Sequence, residues 1–168
     1  MPNTYTFISS NVLGSTTNSV TISSIPDTYT DLVLRISGRL NGNSNSFDIT
    51  FNGNTSSVYR NTYLNSNGTT TETSNSGSTN ISLMGVTPST STANTFGNME
   101  LYIPNYQVAT NKPFSSFGVT ENNATLSRIE MNACLFLSTA AITSITMSGG
   151  SSSFVAGSSF YLYGIKNS

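Results

Sequence analysis

Between Asp31 and Leu40 the chain reads DLVLRISGRL. Leu32, Leu34 and Ile36 alternate there with Val33, Arg35, Ser37 and Arg39. A period of two is the repeat that a β-strand converts into one apolar and one polar face. The pattern recurs along the chain, and helical periodicity is nearly absent. Val20 and Ile22 alternate in NSVTISSIP, which Pro26 ends, and Phe47, Ile49 and Phe51 alternate in FDITFNG. Met99, Leu101 and Ile103 alternate against Glu100 and Tyr102 in FGNMELYIP. YTFISSNVLG, SVYRNTYLN, NISLMGV, PFSSFGVT, SRIEMNACLFLS, AITSITMSG and SSFYLYGIK complete the set, with Gly, Ser, Asn or Pro between them. Many short strands separated by such turns predict an all-β chain. The expected architecture is an antiparallel β-sandwich of jelly-roll type, built as one domain over residues 1–168.

Two more specific expectations follow from the same alternation. DLVLRISGRL and FDITFNG should form a hairpin across NGNSNS. Keeping both apolar sets inward pairs Leu40 with Phe47 and Ile36 with Phe51. That register sets Arg39 opposite Asp48 as a cross-strand ion pair and Arg35 opposite Asn52, leaving Arg35 without a charged partner. The segment 65–80, NSNGTTTETSNSGSTN, is almost free of apolar residues and is expected to be a long surface loop, either a binding loop or a disordered connection. TPSTSTANT is a second excursion, and NYQVATNKP turns a corner between strands.

Composition decides what such a sandwich can do. Charged residues make up 8% of the chain, against about 25% in typical soluble proteins, and Ser, Thr and Asn fill the gap. Six scattered basic residues provide neither a nucleic-acid footprint nor a basic patch for a membrane surface. No apolar run reaches the ~20 residues of a membrane span, and MPNTYTFISS has no secretory-signal pattern. Histidine is absent, which removes the commonest catalytic base and metal ligand. The seven carboxylates fall in no recognisable motif, and MSGGSSS lacks the lysine and context of a phosphate loop. No enzyme activity and no cofactor are expected. Four N-x-[ST] triplets, at Asn54, Asn67, Asn80 and Asn123, are what this composition supplies by chance. Cys134 is the sole cysteine; in NACLFLS it reads as a buried, inert thiol.

The tyrosines leave three readings open. Tyr59, Tyr63, Tyr102 and Tyr106 lie on or near polar faces. They suit a protein interface, where Tyr is enriched, or a glycan ligand stacked on rings and bonded by amides, or simple coverage of sheet edges. The candidate interface residues are Tyr5, Phe7, Arg35, Tyr59, Arg60, Tyr63, Tyr161 and Tyr163. Both chain ends, Met1 to Phe7 and Phe160 to Lys166, mix aromatics with strand residues. They read either as docking segments or as ordinary paired strands closing the sandwich.

Three stretches taken together carry a resemblance: YTFISSNVLGSTTNSVTISSIPDTYTDLVLRISGR, FDITFNGNTSSVYRNTYL and SSFYLYGIK. The pattern IP-x-x-Y-x-D-L-V-L, followed near the end by F-x-L-Y-G-I, resembles small β-rich virion proteins of tailed bacteriophages, especially phages of aquatic bacteria. These are jelly-roll or sandwich modules used as capsid decoration (cement) proteins or as fibre and tail-tip domains. The resemblance covers nearly the whole chain and marks strands rather than functional residues. It implies a virion protein made in the host bacterial cytoplasm, a homotrimer bound to the major capsid protein or other virion proteins. The alternative it implies is a carbohydrate- or receptor-binding domain of a tail fibre or tail tip.

Overall fold

The computed structural model describes residues 4–166, without the side chains of residues 74–76. Thirteen strands are found among them. They are β1 (Thr6–Val12), β2 (Ser19–Ile22), β3 (Asp31–Arg39), β4 (Ser46–Phe51), β5 (Tyr59–Ser66), β6 (Thr71–Ser78) and β7 (Ile81–Met84), then β8 (Val86–Thr87), β9 (Gly97–Ile103), β10 (Lys112–Glu121), β11 (Ser127–Phe136), β12 (Ile145–Ser148) and β13 (Ser159–Ile165). There is no helix among the described residues.

The strands form two sheets. The large one is nine-stranded, in the order β1-β13-β3-β9-β10-β11-β5-β6, with β8 paired alongside β3. The small one is four-stranded, in the order β2-β12-β4-β7. Pairing is antiparallel throughout except for the short β3–β8 contact. This is a β-sandwich. The orders go no further toward a jelly roll, whose eight strands form two Greek keys.

One core lies between the sheets. Leu32, Leu34 and Ile36 from β3 meet Phe47, Ile49 and Phe51 from β4 there, with Leu101 and Ile103 from β9 and Phe160 and Leu162 from β13. Aromatic rings knit the two sheets together. Phe51 of the small sheet packs edge-on against Phe114 of the large sheet at 5.1 Å between centroids and lies against Phe136 of the large sheet at 5.4 Å; Phe136 in turn stacks on Tyr59 within the large sheet at 5.0 Å. Apolar burial of this kind is the dominant stabilising term, roughly 25 cal/mol per Å² removed from water.

The expected hairpin between the third and fourth strands does not form. β3 pairs with β13 and β9, whereas β4 pairs with β12 and β7 in the opposite sheet. NGNSNS crosses from one sheet to the other. A crossover also turns both apolar sets inward, so the alternation is satisfied without the pairing. The Arg39–Asp48 ion pair is therefore absent. Asp48 lies in register with Ser82 and Ser148, and burial raises its pKa while the bond from Ser82 opposes that shift.

Segment 65–80 is not a loop either. Residues Ser66 to Tyr59 pair in register with Thr71 to Ser78, and the turn is only Asn67 to Thr70. The Asn67 carboxamide oxygen accepts the backbone N–H groups of Thr69 and Thr70, which is how Asn closes a turn. β6 ends the large sheet. An outermost strand bonds its one neighbour on one side and leaves its remaining backbone groups to water, so a polar sequence can hold it and low hydrophobicity does not exclude a strand.

Gly118 explains how closely the sheets approach. It faces inward from β10, and a Cβ there would collide with the Met84 carbonyl at the end of β7. Glycine is required because backbone occupies that space.

Candidate functional site

The outer face of the large sheet is the main candidate site. Register places one residue per strand in a row across it. Tyr161 lies opposite Arg35, Arg35 opposite Glu100, and Glu100 opposite Phe117. Phe117 then lies opposite Met131, and Met131 opposite Leu64. The row passes from aromatic through charged to apolar. Phe117 is 45% exposed, Met131 51% and Leu64 44%, and Ile129 extends the same apolar strip.

Shallow grooves flank this row. One lies between Arg35, Asn98, Glu100 and Phe117. A second runs between Tyr102, Ser115, Phe117 and Met131, and a third between Tyr102, Pro104, Pro113 and Ala133. Antiparallel sheets commonly solvate one face, and that face is then normally polar. Here it carries contiguous large apolar side chains, the kind of surface that marks an interaction site.

At the β1 end of the row the candidate residues from the two chain termini meet. β1 pairs with β13 at the sheet edge, so the ends do close the sandwich as paired strands, and Met1 to Asn3 lie outside the described residues. Tyr5 and Phe7 both pack edge-on against Tyr163, at 6.3 and 6.2 Å. The Arg35 guanidinium lies over Tyr5 at 5.6 Å and over Tyr163 at 6.0 Å. Its Nε donates to the Glu100 carboxylate at 2.8 Å. That bond is the first cause holding the Arg35 pKa above its usual value. The expectation that Arg35 lacks a charged partner is thus corrected. Its partner comes from β9, a strand far off in sequence.

Five of the eight expected interface residues therefore gather on this face: Tyr5, Phe7, Arg35, Tyr161 and Tyr163. The other three do not. Tyr59 is fully buried. Its hydroxyl accepts the Phe51 N–H at 2.9 Å and donates to the Asn54 carbonyl at 2.9 Å, so it is a core residue with a satisfied polar tip. Arg60 sits near the opposite edge and donates to the carbonyls of Ser57 and Tyr59. Tyr63 is half-buried, on the side of β5 opposite Leu64. Tyr106, read as lying near a polar face, is buried as well, and its hydroxyl donates to the Pro26 carbonyl. Val33, on the polar side of the alternation in DLVLRISGRL, is buried, and so is Asp31 at the start of that strand. Val33 lies in register between Tyr163 and Tyr102. Asp31 accepts the Tyr102 hydroxyl at 2.7 Å and the Asn105 N–H at 2.9 Å. That bond, with burial second, pushes the Tyr102 pKa up to about 12.

Leu64, Phe117, Ile129 and Met131, and Glu100 on the polar side of its strand, stand outside the eight expected interface residues. A signal was present. Phe114 and Phe117 differ by three in one strand, as do Met131 and Cys134, and such residues must face opposite sides.

The scarce cations mostly organise loops. Arg39 donates to four backbone carbonyls of the segment after β8, those of Ser89, Ser91, Thr92 and Thr95, at 2.9–3.2 Å. Lys112 is buried, and its ammonium donates to the carbonyls of Val108, Thr110 and Ser138. Burial lowers its pKa. Cys134 is buried too, and desolvation pushes its thiol pKa up to about 12, the reverse of what a nucleophile needs. Among the described residues no cluster of carboxylates and cysteine could hold a metal ion. No protein-family model and no curated protein matches the chain.

Proposed function

We propose that the chain is a non-enzymatic structural protein of a tailed-phage virion, a decoration protein that binds the outer surface of the capsid and stabilises it. The carrying observation is the apolar row Phe117–Met131–Leu64, exposed on a sheet face and continuous with the Arg35–Glu100 pair and the Tyr5–Phe7–Tyr163 cluster. A central apolar strip with Tyr and Arg beside it has the make-up of a protein interface. A rigid sandwich docked through that face would tie neighbouring shell subunits together by mass action. The sequence resemblance and the uncharged polar composition support the virion setting, and a jelly-roll topology belongs to the same reading. Shell sites are symmetric, and closed homo-oligomers suit them; a trimer is proposed, to be checked by native mass measurement, where a monomer at micromolar concentration would count against it.

The test is co-sedimentation with purified phage particles stripped of the protein. The wild-type chain should pellet with the particles to saturation. The double variant Phe117→Ser/Met131→Ser should remain in the supernatant. Saturable pelleting of both proteins to the same extent would remove the outer sheet face from the account.

A further inference from the structure

A second site lies at the tip of the β10–β11 hairpin, away from the apolar row. A cavity of about 410 Å³ opens there, within the roughly 300–1,000 Å³ of small-ligand sites. One wall is the segment after β8, with Pro88 and Thr90. Another is the linker after β3, with Asn43 and Asn45. The third is the hairpin tip, with Leu126 and Arg128.

Arg128 distinguishes this cavity. The chain has four arginines, and three of them donate to protein oxygens: Arg35 to Glu100, Arg39 to four carbonyls, and Arg60 to two. Arg128 donates to none among the described residues. Its Nη1 has only the Met84 sulfur, at 3.9 Å, and its buried Nε has no partner. Glu121 lines the same cavity, yet the ion pair found among the described residues is Arg35–Glu100. A guanidinium presents a rigid fork of donors that matches a carboxylate or a phosphate bound through two oxygens.

The walls are already fixed. Arg39 holds the segment after β8 by its carbonyls. The Asn122 carboxamide oxygen accepts the N–H groups of Ala124, Thr125 and Leu126, which sets the hairpin tip. Asn43 accepts the Ser89 hydroxyl, joining two walls. A preformed site does not pay the ordering entropy of binding. The remaining lining suits a polyol: Asn43, Asn45 and Thr90 offer amides and a hydroxyl, while Pro88 and Leu126 offer an apolar surface to the C–H face of a ring.

We propose that this cavity binds an acidic saccharide of the uronate type, with its carboxylate on Arg128 and its hydroxyls on Asn43, Asn45 and Thr90. The site is separate from the docking face, so variants at Phe117 and Met131 should not alter it.

The test is calorimetric titration of the full chain with trigalacturonate, with maltotriose as the neutral trisaccharide and a short Asp/Glu peptide as a sugar-free carboxylate. Trigalacturonate should bind saturably at millimolar concentration or below and weaken with added salt. Arg128→Gln should reduce its affinity by about tenfold or more, and maltotriose and the peptide should bind at least that much more weakly. Thr90→Val, on the exposed segment, should also weaken binding and carries the test if Arg128→Gln fails to fold. No saturable binding by the folded chain would overturn the proposal. So would equal affinity for maltotriose or the peptide, or unchanged affinity in the variants.

Discussion

Phe117 on β10 sits directly opposite Met131 on β11, and both side chains stand on the solvent face of a nine-stranded sheet. Their location separates stability from binding. The core is sealed beneath them by Phe114, Cys134 and Phe136, so these two residues add little to folding. Phe117→Ser/Met131→Ser is therefore expected to change unfolding free energy by no more than about 1 kcal/mol, measured by urea titration. A loss of several kcal/mol would mean that the pair is structural.

Arg39 and Arg35 are two positions of the polar alternation apart by four residues, yet they differ in what they hold. Arg39 bonds four carbonyls; Arg35 makes an exposed ion pair with side chains 55% and 46% accessible. Arg39→Ala should cost roughly 2 kcal/mol, since charged hydrogen bonds contribute about 1.5–3 each when buried and less when partly exposed. Arg35→Ala should cost under about 1 kcal/mol. Hydrogen exchange of residues 89–95 should rise in Arg39→Ala and stay unchanged in Arg35→Ala.

Tyr59→Phe removes a hydroxyl that accepts the buried Phe51 N–H. The ring stack on Phe136 survives, but the N–H loses its acceptor. The expected loss is about 1–3 kcal/mol, read from denaturant midpoints at unchanged slope.

Glu130 gives a pH signature. It is buried, and desolvation raises its pKa; bonds from Asn132 and the Met84 N–H and the charge of Arg128 act the other way. A carboxyl whose pKa is higher folded than unfolded binds more protons in the native state. Its contribution is therefore most favourable below its unfolded pKa, and it is lost as pH rises through the folded value. Glu130→Gln keeps a carbonyl for both bonds and removes the charge. Wild type should gain stability relative to Glu130→Gln as pH falls from neutral through the acidic range, in melting curves run in parallel. A difference that stays constant with pH, or moves the other way, contradicts this assignment.

The alternation made the sandwich and its inner face readable. Leu32, Leu34, Ile36, Phe47, Ile49 and Phe51 were all placed inward from the sequence, and all are buried. What alternation does not encode is which sheet a strand joins. β3 and β4 present apolar faces to one interior from opposite sheets, so a hairpin and a crossover fit the same letters, and the partner assigned to Arg39 followed the wrong one. Polarity misled at 65–80, where Asn67 closes a tight turn in an edge hairpin that needs no apolar side chain. Tyr59 shares its side of β5 with Asn61 and Asn65, which makes that face polar in sequence; yet both asparagines are buried beside it. The apolar row was hidden because its members come from three strands, β5, β10 and β11, that meet only after folding. Arg35 could not be paired in advance because Glu100 is brought beside it by a long-range β3–β9 contact.

We propose that the outer face of the large sheet seats this protein on a viral shell. A density map of the intact particle tests it most directly. The expected result is the sandwich on the outer head surface, with Leu64, Phe117 and Met131 against capsid subunits. A map with the chain absent from the particle, or with that face turned to solvent, would contradict the account.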